Sequence, residues 1–211
     1  MAASLTCTLT TNWPARMAMA ASPAFDPRLE ALGERELVEV CVGGRTEAFD
    51  LIVERHRRAV YRLCYRFVGN HEDASDLSQD VFLRAFRGLR SFRGQASLST
   101  WLHRIAVNVC LNRTSKAAST ATSEPIDARE HVDARVESAP DRLLRVERAA
   151  RVRAAIADLP RKQRATLILR VYHEMPHQDI AAILGTSVGA VKVNFFHALG
   201  NLRKRLGEDA P

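Results

Sequence analysis

Glycine and proline are scarce in this 211-residue chain, ten and eight residues respectively. They seldom interrupt long stretches of three- and four-residue apolar spacing, so turn-rich strand folds give way to helices. Cysteine is sparse as well. Cys7, Cys41, Cys64 and Cys110 form no CxxC pair and no zinc-finger spacing, which removes the sequence basis for a metal finger. Cys41, Cys64 and Cys110 fall on apolar helix sides. They read as buried, reduced thiols of a cytosolic protein, with a redox sensor as the alternative. No apolar run is long enough to span a bilayer. Residues 1–27 lack the basic start and continuous apolar segment of a signal peptide and read as a disordered extension. Met17 and Met19 leave a later translation start open.

What is abundant is positive charge. Lys and Arg outnumber Asp and Glu by 31 to 24, for a net charge of +7 and a pI of about 9.7. That favours a polyanionic partner, either nucleic acid or an anionic membrane surface. The length suits one large or two small domains.

The most informative stretch runs from Asp76 to Asn108 and reads as helix, basic loop, helix. Leu77, Val81, Phe82, Ala85 and Leu89 form one apolar side, opposite Asp76, Gln79, Asp80, Arg84 and Arg87. After the polar connector Arg90–Thr100, Leu102, Ile105, Ala106 and Val109 form a second core stripe. A separate row carries Trp101, Arg104 and Asn108, three and four residues apart. A ring that stacks, a guanidinium that holds phosphate and an amide that reads a base edge suit an unstacked nucleic-acid base. The other reading is a half-buried core Trp beside a solvated Asn.

Upstream, Leu37, Val38 and Cys41 make a short apolar face closed by Gly43 and Gly44, and Thr46 is placed to cap the next helix. That helix carries Phe49, Ile52, Val53, Val60, Leu63, Cys64 and Phe67 opposite a row of arginines, which reads as a solvated face. Gly69 and Asn70 break it, and Asn70 with Asp73 resembles a helix cap. Asp73, Asp76 and Asp80 share one face and can be read as a Mg²⁺ site of a nuclease, but no fourth ligand or catalytic base accompanies them. Residues 117–140 lose all apolar period and read as a flexible linker.

The remaining residues, 141–211, are helical again. Asp141 is expected to cap a helix whose apolar residues are Leu143, Leu144, Val146, Ala150, Val152 and Ile156, ending before Pro160. A second helix follows with Ala165, Leu167, Ile168 and Val171. Residues 176–206 then read as a helix-turn-helix. Pro176 opens the first helix, Ala181 is small where helices meet, Gly185 makes the turn and Ser187 caps the recognition helix. Ile180, Leu184, Val191 and Phe195 supply the shared core. Ser187, Ala190, Lys192, Val193, Asn194, Phe196 and His197 lie where such a helix meets the major groove. His173 and His177 are four apart but separated by Pro176, so solvated surface is the default for them.

Two segments carry a family resemblance. DLSQDVFLRAFRGLRSFRG followed by STWLHRIAVN resembles region two of the extracytoplasmic-function (ECF) sigma factors of bacterial RNA polymerase, whose pattern is DxxQ[ED]xF, FRG and TWLxRIAxN. LPRKQRATLILRVYHEM resembles the start of sigma region four, LPxxxRxxxxLR. Together they extend roughly from Arg28 to Leu206. GAVKVNFFHAL stands where the family has GTVKSRxxRAR, with Asn194 and His197 in place of two frequent arginines.

The resemblance implies an all-α fold of two small helical domains on a flexible linker. Residues 28–116 would be sigma region two and 141–211 region four. It implies that Asp76, Gln79 and Asp80, with Phe82, contact core RNA polymerase. Gln95, Ser97, Trp101, Arg104, Asn108 and Arg113 would meet the unpaired −10 strand, with Lys116 on its backbone. The recognition-helix residues would read the −35 duplex of promoter DNA. The linker would thread toward the RNA exit channel. An anti-sigma factor, often membrane-anchored, is the implied regulator, and a further C-terminal regulatory domain is not expected. No catalysis, metal, cofactor or small-molecule substrate is implied. Two rivals remain: a free-standing helix-turn-helix regulator with its own sensor, and the metal-dependent nuclease.

Overall fold

The structure is a computed structural model that describes residues 26–117 and 139–207. Every regular element among them is helical. The first half begins with a short turn, α1 (Pro27–Glu30), capped by Asp26, whose carboxylate accepts from the Arg28 N–H at 3.0 Å. Asp26 and Pro27 fall within the expected 1–27 extension, whose residues 1–25 lie outside the described residues. α2 (Glu34–Val42) and α3 (Glu47–Val68) follow. Phe49, Ile52, Val60, Leu63, Cys64 and Phe67 of α3 are buried, as their spacing requires. Thr46 stands at the N-cap but makes no side-chain capping bond. α3 ends at Gly69, whose φ of 80° is cheap only for glycine. Asn70 then caps α4 (His71–Gly88), accepting from the Asp73 N–H at 2.7 Å. A 3₁₀ turn, Leu89–Ser91, and an exposed loop lead to α5 (Leu98–Ala117). α3, α4 and α5 pack on one another. Their fully buried Phe49, Phe67 and Phe82 each contribute about 1.5–3 kcal/mol by leaving water.

The second half comprises α6 (Ala139–Ala157), α7 (Arg161–Val171), α8 (His177–Leu184) and α9 (Val188–Gly207). α6 starts earlier than expected, so Asp141 lies within its first turn and is not the cap. Leu144 and Val146, expected in the core, are 49% and 40% exposed. Among the described side chains of this helix, only Ala155 and Ile156 near its end are buried. Val171 is likewise exposed at the end of α7, while Thr166 and Leu169, outside the expected stripe, are buried. The chain turns through 100° between α8 and α9, within the range of a helix-turn-helix. Gly185 takes φ 60°, ψ 44°, and Ser187 Oγ accepts from the Ala190 N–H at 3.2 Å, both as expected.

The two halves do not stand apart. α8 lies along α5, and α7 touches α3 and α5. The buried side chains of both halves form one continuous cluster, so the two helical domains are docked on one another. The reason lies on α5. Besides Leu102, Ala106 and Val109, its Val107, Leu111 and His103 are also buried. A helix apolar on more than one side needs a second partner, and the second half supplies it. Polar contacts cross the same seam. Arg164 donates to the Phe67 carbonyl, and Arg161 donates to Asn112 Oδ1 at 2.9 Å. The Arg66 guanidinium lies 4.3 Å from the Tyr172 ring centre. The segment expected to be a linker lies outside the described residues over 118–138; its edges, Ala117 and residues 139–140, are helical.

Candidate nucleic-acid interface

The first candidate face is built on α5. Ser97 accepts from the Thr100 N–H at 3.1 Å and shares a hydrogen bond with the Thr100 hydroxyl at 2.8 Å. Its hydroxyl therefore caps the helix. Gln95 is exposed in the loop before it. Trp101 is half-buried. One side of the indole leans on Phe92, ring centres 5.3 Å apart, and a Cβ placed on Gly88 would lie 3.5 Å from it. Both readings of this Trp are thus partly right: the core fixes its angle and leaves part of the ring free. Arg104 and Asn108, one turn apart, are exposed on the same row.

Arg113 is placed differently from the rest. It pairs with Asp73 at 3.0 Å and ties the end of α5 to the start of α4. Asp73 is held below the usual carboxylate range, first by the Asn70 side chain and then by Arg113. Arg113 is therefore committed within the protein before any phosphate arrives. The side chain of Lys116 lies outside the described residues.

On α4, Asp76 and Gln79 are exposed and Asp80 is half-exposed. Arg84 grips both Asp80 oxygens at 2.9 Å, a bidentate pair that raises the Arg84 pKa. Phe82 is 1% exposed. Its placement among partner-binding residues is corrected: the same apolar spacing that puts it on this helix buries it beneath the acidic face. The nuclease reading also loses its ligands. Asp73 and Asp80 are engaged by arginines, and no His, Cys, Asp and Glu group among the described residues is placed to hold a metal ion.

The second candidate face is the outer side of α9. Val191 and Ala198 face inward, while Lys192, Val193, Phe196 and His197 are exposed, Phe196 at 74%. Ser187 is exposed at the turn, and Ala190 and Asn194 are half-buried along the flank. A positive charge beside apolar groups on one ridge matches phosphate or guanine together with thymine methyls.

One residue sequence reasoning passed over is His103. It is 5% exposed, its Nδ1 meets the Ser99 carbonyl at 2.7 Å, and burial lowers its pKa. Across the seam it meets His173, ring centres 6.0 Å apart. A His inside an otherwise apolar helical stripe was the available signal. The cysteines fall as expected: Cys41, Cys64 and Cys110 are buried and free, and burial pushes Cys41 up to about 11.

The two faces are close to one another. A Cβ on Gly185, in the helix-turn-helix turn, would lie 3.7 Å from the Arg104 guanidinium. The docked halves therefore set the second face's turn against part of the first.

Comparison with known proteins finds two family matches, Sigma-70 region 2 over residues 52–120 and Sigma-70, region 4 over residues 149–202. The ECF RNA polymerase sigma factor SigM of Mycobacterium tuberculosis H37Rv is 37% identical over 174 residues, covering 82% of this chain and 85% of its own. The ECF RNA polymerase sigma-E factor of Escherichia coli K12 is 34% identical over 176 residues, covering 80% and 92%. Among solved structures, CnrH in complex with the cytosolic domain of CnrY shares the fold, with a TM-score of 0.59 at 24% identity over 84% of this chain and 99% of that one. RpoE of Bartonella quintana, in complex with the anti-sigma factor NepR, does so with a TM-score of 0.57 at 21% identity over 77% and 98%.

Proposed function

This chain belongs to the ECF sigma factors of the sigma-70 family, and we propose that it grips a promoter through the two faces described above, one on each half. Its function is that of an RNA polymerase sigma factor: it joins core polymerase and directs initiation at promoters. Residues 28–116 take the −10 element and residues 141–211 the −35 element. In this reading the polymerase performs the chemistry and the sigma factor supplies the address.

The observation that carries the reading is the row Trp101, Arg104 and Asn108, held open on α5 of a chain that also bears a helix-turn-helix. Unstacking a base costs a few kcal/mol. A ring platform with a fixed angle, with an amide two turns further on the same row, offsets that cost, because the ring need not be ordered on binding. Lys192, Val193 and Phe196 enter the −35 major groove, with Ser187, Ala190, Asn194 and His197 at its edges. Asp76 presents negative charge to the polymerase, with the Gln79 amide and the Arg84-paired Asp80 beside it. Linking two weak grips on one chain raises their effective concentration.

The docked halves are then the resting form. Arg104 and the Gly185 turn meet in it, and −10 and −35 elements cannot both be engaged until they part. Core polymerase holds them apart. We infer that an anti-sigma factor covers the same faces when transcription is off; RpoE of Bartonella quintana is known in complex with the anti-sigma factor NepR. We place the protein in the cytoplasm with its polymerase. Among the described residues no single helix is long and apolar enough to cross a membrane.

Run-off transcription tests the reading. Core polymerase is incubated with a pool of genomic templates, with and without this protein. Discrete start sites dependent on the protein are expected, and Asn108→Ala should abolish opening while leaving core binding intact. Absence of directed initiation on every template would overturn the reading. So would a dimer that occupies promoters fully without polymerase.

A further inference from the structure

The outer side of α9 carries an apolar edge. Val193 is 54% exposed and Phe196 74%, and they lie one turn apart. Helical spacing explains where they point. Val191 and Ala198 are buried, and Phe195 and Leu202 pack on the core, which turns Val193 and Phe196 to the opposite side.

Two exposed glycines extend the same row. Gly189 lies one turn before Val193, and Gly200 one turn after Phe196. Glycine weakens the interior of a helix, yet packing within the chain requires none at these places. A Cβ on Gly200 would meet nothing within 4 Å, and one on Gly189 would meet Ser187 Oγ at an ordinary 3.9 Å. Bare backbone at both ends leaves Val193 and Phe196 foremost and lets a partner surface close on them. Lys192, Arg203 and Lys204 are exposed beside this edge. The surface it suits is therefore apolar at its centre and anionic at its margins.

The major groove has that composition. Among its base edges the apolar group is the C5 methyl of thymine, and phosphates border it. We propose that Val193 is a specificity-determining residue of the −35 contact and reads a thymine by its methyl group, with Phe196 as the far wall of the same contact. The inference rests on the −35 reading above and names the base that this face takes. In the ECF pattern a serine stands here, GTVKS against GAVKV in this chain. A serine hydroxyl can donate to or accept from any base edge. The Val193 methyls can do neither, and gain only where another apolar group leaves water with them. Cytosine at that place would present its amino group to Val193 and leave it unpaired.

The test uses holoenzyme, reconstituted from core polymerase and this chain, on promoters identified by run-off transcription. Each thymine of the −35 element is replaced in turn by uracil, which deletes the methyl group and nothing else, and binding is measured by competition. One position or two neighbouring ones should bind about fourfold more weakly as uracil, the scale of one methyl removed from water. Val193→Ser should bind the thymine and uracil templates equally at one such position. Val193 is exposed, so the variant is expected to fold, which circular dichroism verifies. Equal affinity for thymine and uracil at every position overturns the methyl contact, as does full sensitivity in Val193→Ser. Weakening of both templates alike by Val193→Ser, with the discrimination kept, would place the residue against a protein surface and also overturn it. Start sites that persist through these failures leave the transcription reading intact, whereas their absence with the parent chain overturns both.

Discussion

Arg164 offers the sharpest test of the docked arrangement. It is 8% exposed. One Nη donates to the Ala157 carbonyl within its own half at 3.3 Å, and the other donates to the Phe67 carbonyl at the end of α3. Its guanidinium also lies 5.7 Å from the Phe67 ring centre, and burial lowers its pKa. Two hydrogen bonds from a charged donor are worth roughly 1.5–3 kcal/mol each, and the ring contact roughly 0.5–1 kcal/mol. Against them stands a desolvation cost of several kcal/mol for the ion, so the net contribution of the arginine is small. Its removal is another matter. Arg164→Met keeps the stem but leaves the Phe67 carbonyl buried and unpaired, about 1–3 kcal/mol. That penalty exists only while the halves are docked, because on opening the carbonyl reaches water. A shift of about 2 kcal/mol changes the ratio of docked to open roughly 30-fold. A tenfold preference for docking would thus become an open majority of about three to one. Pulsed electron resonance reads this directly, with labels at Arg35→Cys and Arg203→Cys in a Cys7→Ser background, where Cys41, Cys64 and Cys110 are buried. The parent should give one narrow distance and the variant a broad, longer distribution. A variant that melts earlier but keeps the narrow distance would refute the tether and leave Arg164 only its bond to Ala157.

Three further expectations follow from particular residues. Lys192→Ala should weaken −35 binding and lower the salt slope by about one, as one phosphate contact is lost; unchanged occupancy on a gel-shift titration would remove Lys192 from the interface. The docked form should respond to acid. His173 is lowered from 6.5 to about 4, first by burial and then by neighbouring His103, Arg62 and Arg66, so it binds fewer protons docked than open. Its contribution is whole above about pH 6.5 and is lost as pH falls toward 4, so label distances should broaden across that window. His173→Phe should flatten the response, and an identical profile in that variant would exclude this histidine as the cause. Gly185→Ala forces an L-residue into φ 60°, a cost of about 1–2 kcal/mol, though its Cβ would have room. Differential scanning calorimetry should show Tm lower by about 2–8 °C; an unchanged Tm would mean that the turn relaxes freely.

The helix-turn-helix was legible because its signals are local. Gly185 makes the turn, Ser187 caps the next helix, and Val191 buries itself one turn on. The same holds for the Asn70 cap and for the row Trp101, Arg104 and Asn108, which helical spacing alone puts on one side. Where an expectation failed, the neighbour was distant in the chain. Phe82 shares its helix with the acidic residues, and only α3 and α5 packed against α4 show that it lies beneath them. Leu144, Val146 and Val171 are apolar and periodic, yet each stays exposed. Arg113 reads as a free cation until Asp73, forty residues away, is found beside it.

The amino-acid sequence alone determined the helices, their caps and the family, since each rests on interactions within a few turns of backbone. Only the tertiary structure decided that the halves dock, that His103 meets His173, and that Arg104 faces the Gly185 turn. Val107 and Leu111 show why. Periodicity reveals that a helix has an apolar side, but a second such side is covered by whichever remote surface matches it, and that match is set in three dimensions.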